Sequence, residues 1–220
     1  MNLVLFLLIE KILRQWFAMQ DFLFDKKYGI KTHHKKLEDK LPPFELQRQV
    51  KGGHSAGYQA CWVRNVREAI RESLRILPTA TAYIDVGSGL GKTLFVASEF
   101  PQFRNIIGLE FLQELHYLAI ANISKDKQKK IILVNGDASK YIVGFQPTVI
   151  FLFNPFDQIV LREFINNNID RIQRTQSVIA YVNDLHQNEL SRAGFQNVYS
   201  NSARKLSIWQ LAHPPKIKLP

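Results

Sequence analysis

Tyr83-Ile84-Asp85-Val86-Gly87-Ser88-Gly89-Leu90-Gly91-Lys92 is the stretch whose reading decides the fold. A short apolar run ends on an acid, turns through three glycines and enters Thr93–Phe100, which has helical composition. The implied order is strand, tight turn, helix. Glycine at 87, 89 and 91 lets the turn adopt positive φ and lets a ligand approach the backbone closely. The first N–H groups of the following helix have no intrahelical acceptor and face whatever lies above the turn.

Spacing separates the ligand classes that use such turns. A P-loop needs G-x-x-x-x-G-K-[ST]. Gly91-Lys92-Thr93 supplies its end, but Val86 stands where its first glycine belongs. A dinucleotide fingerprint needs G-x-G-x-x-G, and here Lys92 takes the place of the third glycine.

Outward from the turn, short apolar runs alternate with helical stretches, the pattern of a parallel sheet with crossover helices. The expected strands are Ala82–Val86, Asn105–Leu109, Lys130–Val134, Thr148–Phe153 and Ser177–Val182. The expected helices are Leu112–Ile123, Arg162–Gln173 and Glu189–Ala193, with Gly194 closing the last one. Asn197–Ser200 and Leu206–Ala212 read as a closing hairpin around the polar loop 201–205. Ahead of the sheet, Ala60–Leu77 has one apolar face and stops at Pro78.

In an open α/β sheet, ligands sit beyond the carboxyl ends of the strands. Glu110 closes the second strand, 23 positions after Gly87, where a carboxylate can accept both hydroxyls of a ribose. Asp137, in Asn135-Gly136-Asp137-Ala138, closes the third. Asn154-Pro155-Phe156 follows the fourth.

The run Asp85-Val86-Gly87-Ser88-Gly89-Leu90-Gly91 resembles motif I of class I S-adenosylmethionine (SAM) dependent methyltransferases. The order of five βα steps and a hairpin resembles that family's fold over roughly residues 60–212. The resemblance implies an α/β, Rossmann-like domain with a mostly parallel seven-stranded sheet, a C-terminal antiparallel hairpin and an N-terminal helical extension. It further implies that Gly87, Ser88, Gly89 and Gly91 pass under the methionine part of SAM and that Glu110 holds the ribose. Asp137 would hold the adenine amino group, with the Ala138 N–H on the ring. Asp85 would orient the turn or approach the cofactor's ammonium, and Tyr58 would fold against the methionine end. Asn154, Pro155 and Phe156 would position the methyl acceptor.

Methyltransferases acting on amino nitrogens often carry Asn or Asp, then Pro-Pro and an aromatic residue, at that point. This chain has one Pro, and Phe where Tyr is usual, which departs from the adenine and glutamine methylating pattern. The strand ends and Tyr28-Gly29-Ile30-Lys31-Thr32 also resemble Dot1-type protein lysine methyltransferases and their bacterial relatives. The expected reaction is methyl transfer from SAM to a nitrogen, with a protein lysine as acceptor, giving S-adenosyl-L-homocysteine. The alternatives are an RNA acceptor or a non-catalytic SAM-fold binding module.

The 220 residues suit one domain plus an extension, and 46% apolar content supports a packed core. Net charge is +10. Residues 1–76 hold 14 Lys/Arg against 8 Asp/Glu, so the excess is not confined to one arm. Such a charge favours an anionic partner such as nucleic acid, phospholipid or an acidic protein. Cys61 is the sole cysteine, which excludes an intrachain disulfide and points to a reducing, cytoplasmic setting. It reads as a packing residue. His33-His34 stand too close for an i, i+4 metal pair and have no Cys/His partners at zinc spacing, so no metal is expected.

Three segments follow: residues 1–57 as an amphipathic helix and a basic linker or lid, 58–213 as the SAM-binding domain and 214–220 as a tail. In residues 1–24, Leu5, Leu8, Ile9, Ile12, Leu13, Trp16 and Met19 or Phe22 share one helical face, with Glu10, Arg14 and Asp21 opposite. The seven apolar residues Leu3–Ile9 fall far short of the roughly 20 needed to span a bilayer, and no secretory signal pattern is present. This helix is expected to pack on the domain or a second subunit, or to lie on a membrane surface.

Overall fold

The computed structural model describes residues 3–32, 58–125 and 131–212. The expectations for His33-His34, for most of the basic linker or lid and for the tail 214–220 fall outside these residues.

Helix α1 (Leu3–Tyr28) is followed by α2 (Val63–Ile76), β1 (Ala82–Val86), α3 (Lys92–Ser98), β2 (Asn105–Glu110) and α4 (Gln113–Ile123). Then come β3 (Ile131–Asn135), β4 (Thr148–Phe153), α5 (Gln158–Thr175), β5 (Val178–Val182), α6 (Gln187–Arg192), β6 (Phe195–Asn201) and β7 (Leu206–Leu211). The seven strands form one sheet in the order β3-β2-β1-β4-β5-β7-β6. The first five are parallel, and β7 runs antiparallel to both β5 and β6. The seven-stranded α/β reading therefore holds, hairpin included.

The central strands β1, β4 and β5 are near-continuous apolar runs because both faces of the sheet are covered. On one face Tyr83, Phe151 and Ala180 meet Val66, Ile70 and Phe95 of α2 and α3. On the other, Ile84, Leu152 and Ile179 meet Leu161, Phe164 and Ile172 of α5. Strand order reverses between β1 and β4, so their carboxyl ends open a crevice above the glycine turn.

Two helix starts differ from the sequence reading for identifiable reasons. Helix α5 begins at Gln158 rather than Arg162, because the Asp157 carboxylate accepts the Ile159 and Val160 N–H groups as an N-cap. Helix α2 begins at Val63 rather than Ala60 and has no cap of its own; the Val63 N–H donates to Asp21 of α1 at 3.1 Å. That partner is 42 residues away in sequence, so no local pattern could reveal it.

The N-terminal segment departs most from expectation. Helix α1 runs four residues beyond 24 and ends at Gly29, whose φ of +67 suits a helix stop. Residues expected to begin a linker are instead buried: Asp25, Ile30 and Thr32. The face of α1 on the domain is not the apolar one. It is built from Phe17, Asp21, Phe24, Asp25 and Tyr28, while Ile12, Trp16, Met19 and Phe22 are exposed. Charge fixes this rotation: Lys92 is buried beneath α1, and Asp21 and Asp25 are its counter-ions.

Candidate functional site

The turn after β1 is held by the end of β2. Gly87 and Ser88 N–H both donate to the Leu109 carbonyl, at 2.8 and 3.0 Å, and Gly89 N–H donates to Glu110 Oε2 at 2.8 Å. Gly87 and Gly89 have φ of +88 and +52, and neither has room for a side chain. A Cβ at Gly87 would collide with Pro155, and one at Gly89 with the Tyr58 ring. Tyr58 thus roofs the turn; its hydroxyl donates to the Thr32 carbonyl at 3.0 Å. Burial, with the charges of Asp25, Glu110 and Asp85 behind it, pushes the Tyr58 phenol well above its ordinary range.

Above the turn is a cavity of about 480 Å³, a size that fits a nucleoside cofactor with part of an acceptor. Of the expected residues, Tyr58, Gly87, Gly89, Glu110, Asp137, Ala138, Asn154, Pro155 and Phe156 all line it. The other three do not line it: Ser88 and Gly91 are corrections, and of the two roles expected of Asp85 its position fits orienting the turn and not approaching the cofactor's ammonium. Ser88 points away from the cavity toward β2, where a Cβ on Gly108 would stand 2.8 Å from its Oγ. Gly91 caps α3 in the left-handed region and faces Ile123. Asp85 is buried behind the turn and accepts a hydrogen bond from Thr93 Oγ1. The three carboxylates at 85, 110 and 137 therefore do not converge on one ligand. Asp85 orients the turn from below, and Glu110 and Asp137 remain at the cavity wall.

Burial pushes the Asp85 carboxyl up from 3.8 to about 7; the Thr93 hydrogen bond holds it down, and the Glu110 charge raises it further. Glu110 also does more than expected. Besides Gly89, it accepts the Leu112 N–H at 2.7 Å through Oε1, so it pins both the turn and the chain after β2. Asp137 uses Oδ1 for both the N–H and the Oγ of Ser139, and Oδ2 makes no hydrogen bond among the described residues.

At the other end of the cavity, Asn154 and Asn183 terminate β4 and β5 with φ of +41 and +53. Tyr181 Oη donates to Asn154 Oδ1 at 3.3 Å, and burial raises the Tyr181 phenol. Sequence reasoning missed Glu163, Asn183 and Phe153, which line the same cavity as Phe156 and Ile159. Glu163 carried a signal: it lies on the stripe 156, 159, 160, 163 once α5 is known to start before it. Asn183 followed a strand end, the same rule that located Asn154.

Glu110, Asp137 and Glu163 are acidic, and no described residue lining the cavity is basic. A carboxylate at each of two adjacent strand ends, over glycines with no space for a Cβ, fits a cofactor bearing a ribose, a sulfonium and an ammonium. Bound there, SAM supplies an electrophilic methyl. Glu110 would hold its ribose, Asp137 its adenine amino group, and Gly87 and Gly89 its methionine part.

This fold and site define a class I SAM-dependent methyltransferase. Solved structures carry the same fold. A SAM-dependent methyltransferase from Aquifex aeolicus superposes with a TM-score of 0.53 at 12% identity, covering 67% of this chain and 92% of that one. The amino pentose methyltransferase CalS10 from Micromonospora echinaspora gives 0.54 at 12% identity over 82% and 100%. The glycopeptide N-methyltransferase MtfA, complexed with SAM, gives 0.53 at 11% over 68% and 94%. The family model of protein-L-isoaspartate(D-aspartate) O-methyltransferases matches residues 56–192, and the chain belongs to that family. None of the curated proteins matches it.

Proposed function

We propose that the chain methylates an amine nitrogen, with a protein lysine as the acceptor, in line with its resemblance to Dot1-type enzymes. The carrying observation is the cavity lining: Phe153, Asn154, Phe156, Asn183 and Glu163 all face the cavity, and no basic side chain is among its described lining residues. A carboxylate acceptor would need a cation or several donors to replace its hydration. An alkylammonium entering here meets the Glu163 carboxylate and aromatic faces instead. Glu163 would hold the ammonium and take part in its loss of a proton, while Asn154 and the Pro155 carbonyl accept the remaining N–H groups. Positioning the lone pair in line with the C–S bond is then the chain's main contribution.

The match to the isoaspartate methyltransferase family favours a second reading, a protein carboxyl acceptor. One experiment separates the two. The full chain is incubated with methyl-labelled SAM and cell extract, and the labelled polymer is treated with mild alkali. Label that stays on protein as methyl-lysine supports the proposal. Label released as methanol reveals a methyl ester and assigns the carboxyl reading. Label in nuclease-sensitive polymer, or no transfer despite tight SAM binding, overturns both.

A further inference from the structure

We infer that α1 seats this protein on an anionic membrane surface, lying in the plane of the interface. The helix has 26 residues, about 39 Å at 1.5 Å per residue. The first described ring contact of α1 with the domain is Phe17 on Trp62; the described side chains from Lys11 to Trp16 are all exposed. Along the outward face Ile12, Trp16, Met19 and Phe22 are 56%, 49%, 52% and 64% exposed, and Ile9, Leu13 and Leu23 join them. At 100° per residue, Phe22 and Leu13 mark edges about half the circumference apart. That is wider than the two-in-seven seam of a paired coiled coil, and it matches a helix half-sunk in a lipid interface. Only the part of α1 before Phe17, residues 3–16, is of the length that is marginal as an isolated helix in water, and an apolar partner along this face would stabilise it.

Charge selects the lipid surface over a second copy. Asp21 and Asp25 are turned inward onto Lys92, at 2.9 and 3.5 Å. The exposed cations beside this face are Lys11 toward one end and Lys26 toward the other; Lys27 is paired with Glu99 at 3.0 Å, and Arg14 lies on the opposite side of the helix. Cations at both ends of an apolar face with a central Trp suit anionic headgroups, and the whole chain carries +10. Two such copies would bring like charges together. No helix among the described residues is long and apolar enough to cross a membrane, so α1 lies on the surface rather than through it.

The test is sedimentation of the full-length chain with vesicles of phosphatidylcholine and phosphatidylglycerol, alongside the variant Ile12→Glu/Met19→Glu. Both substituted side chains are exposed, so the variant keeps its melting temperature. The expected result is pelleting with anionic vesicles, weakened by high salt and reduced tenfold or more in the variant, since burying one such side chain is worth roughly 1.5–3 kcal/mol and about 1.4 kcal/mol is tenfold. Absence of pelleting with anionic vesicles, or equal pelleting of the variant, overturns the inference. A concentration-dependent dimer that the same substitutions dissociate, in protein that ignores vesicles, assigns the face to a second copy instead.

Discussion

Lys92, the residue directly after the glycine turn, is buried with its Nζ 2.9 Å from Oδ2 of Asp21 on the N-terminal helix. Asp21 also accepts the Val63 N–H through Oδ1, and Asp25 accepts the N–H and hydroxyl of Thr32, whose carbonyl holds Tyr58 over Gly89. The far end of α1 therefore braces the cofactor turn from below through Lys92 and from above through Tyr58. The N-terminal helix is part of the site's scaffold.

Lys92→Met leaves two buried carboxylates without their cation. Breaking one side of a buried pair costs about 3–5 kcal/mol, so urea denaturation of the variant is expected to show a loss of that order. The double change Asp21→Asn/Lys92→Met is expected to recover part of it. An unchanged unfolding midpoint in Lys92→Met would refute the bracing role.

Asp85 makes stability depend on pH in a stated direction. Its folded carboxyl titrates near 7 rather than 3.8 because it is buried. Between those values the folded chain holds a proton that the unfolded chain has released, so this group's contribution to stability falls as pH rises from about 4 to about 7. Asp85→Asn keeps an acceptor for Thr93 and removes the titration. Relative to the parent it is expected to gain stability across that interval, by no more than about 4 kcal/mol at about 1.4 kcal/mol per pKa unit. Paired denaturation curves at pH 4, 5.5 and 7.5 read this directly; a constant difference across the series contradicts it.

Glu110→Ala removes the acceptor for Gly89 and Leu112 and the candidate ribose ligand together. SAM affinity measured by calorimetry should drop more than tenfold, since hydrogen bonds to a charged group are worth about 1.5–3 kcal/mol. Gly89→Ala should lower affinity by another route, driving Tyr58 off the turn. Unchanged binding in Glu110→Ala would remove this residue from the cofactor site.

At the acceptor end, Tyr181→Phe deletes the donor that orients Asn154. The expected outcome is a several-fold lower kcat with SAM affinity retained. Asn154→Ala should lose transfer more completely, again with the cofactor bound. Loss of SAM binding in either variant would place the pair in the cofactor site instead.

The sequence by itself determined the sheet, the turn and the strand-end residues. These depend on short-range patterns: an apolar run buried on both faces, a glycine where φ is positive, an acid or Asn in the first position past a strand. Glu110, Asp137 and Asn154 were legible because topology forces strand ends together whatever the rest of the chain does. The placements of Ser88 and Gly91 were not, nor which of two roles Asp85 takes, because local backbone geometry decides which side chains face the cavity and which face the core. Only the tertiary structure decided how α1 sits. Its apolar periodicity announced a buried face, yet one lysine beneath it had to find counter-ions, and the cost of an unpaired buried charge outweighs the gain from covering a few apolar side chains. Pairing that lysine with Asp21 and Asp25 turned the helix's oily side outward and tied a segment that reads as an appendage to the turn on which the fold depends.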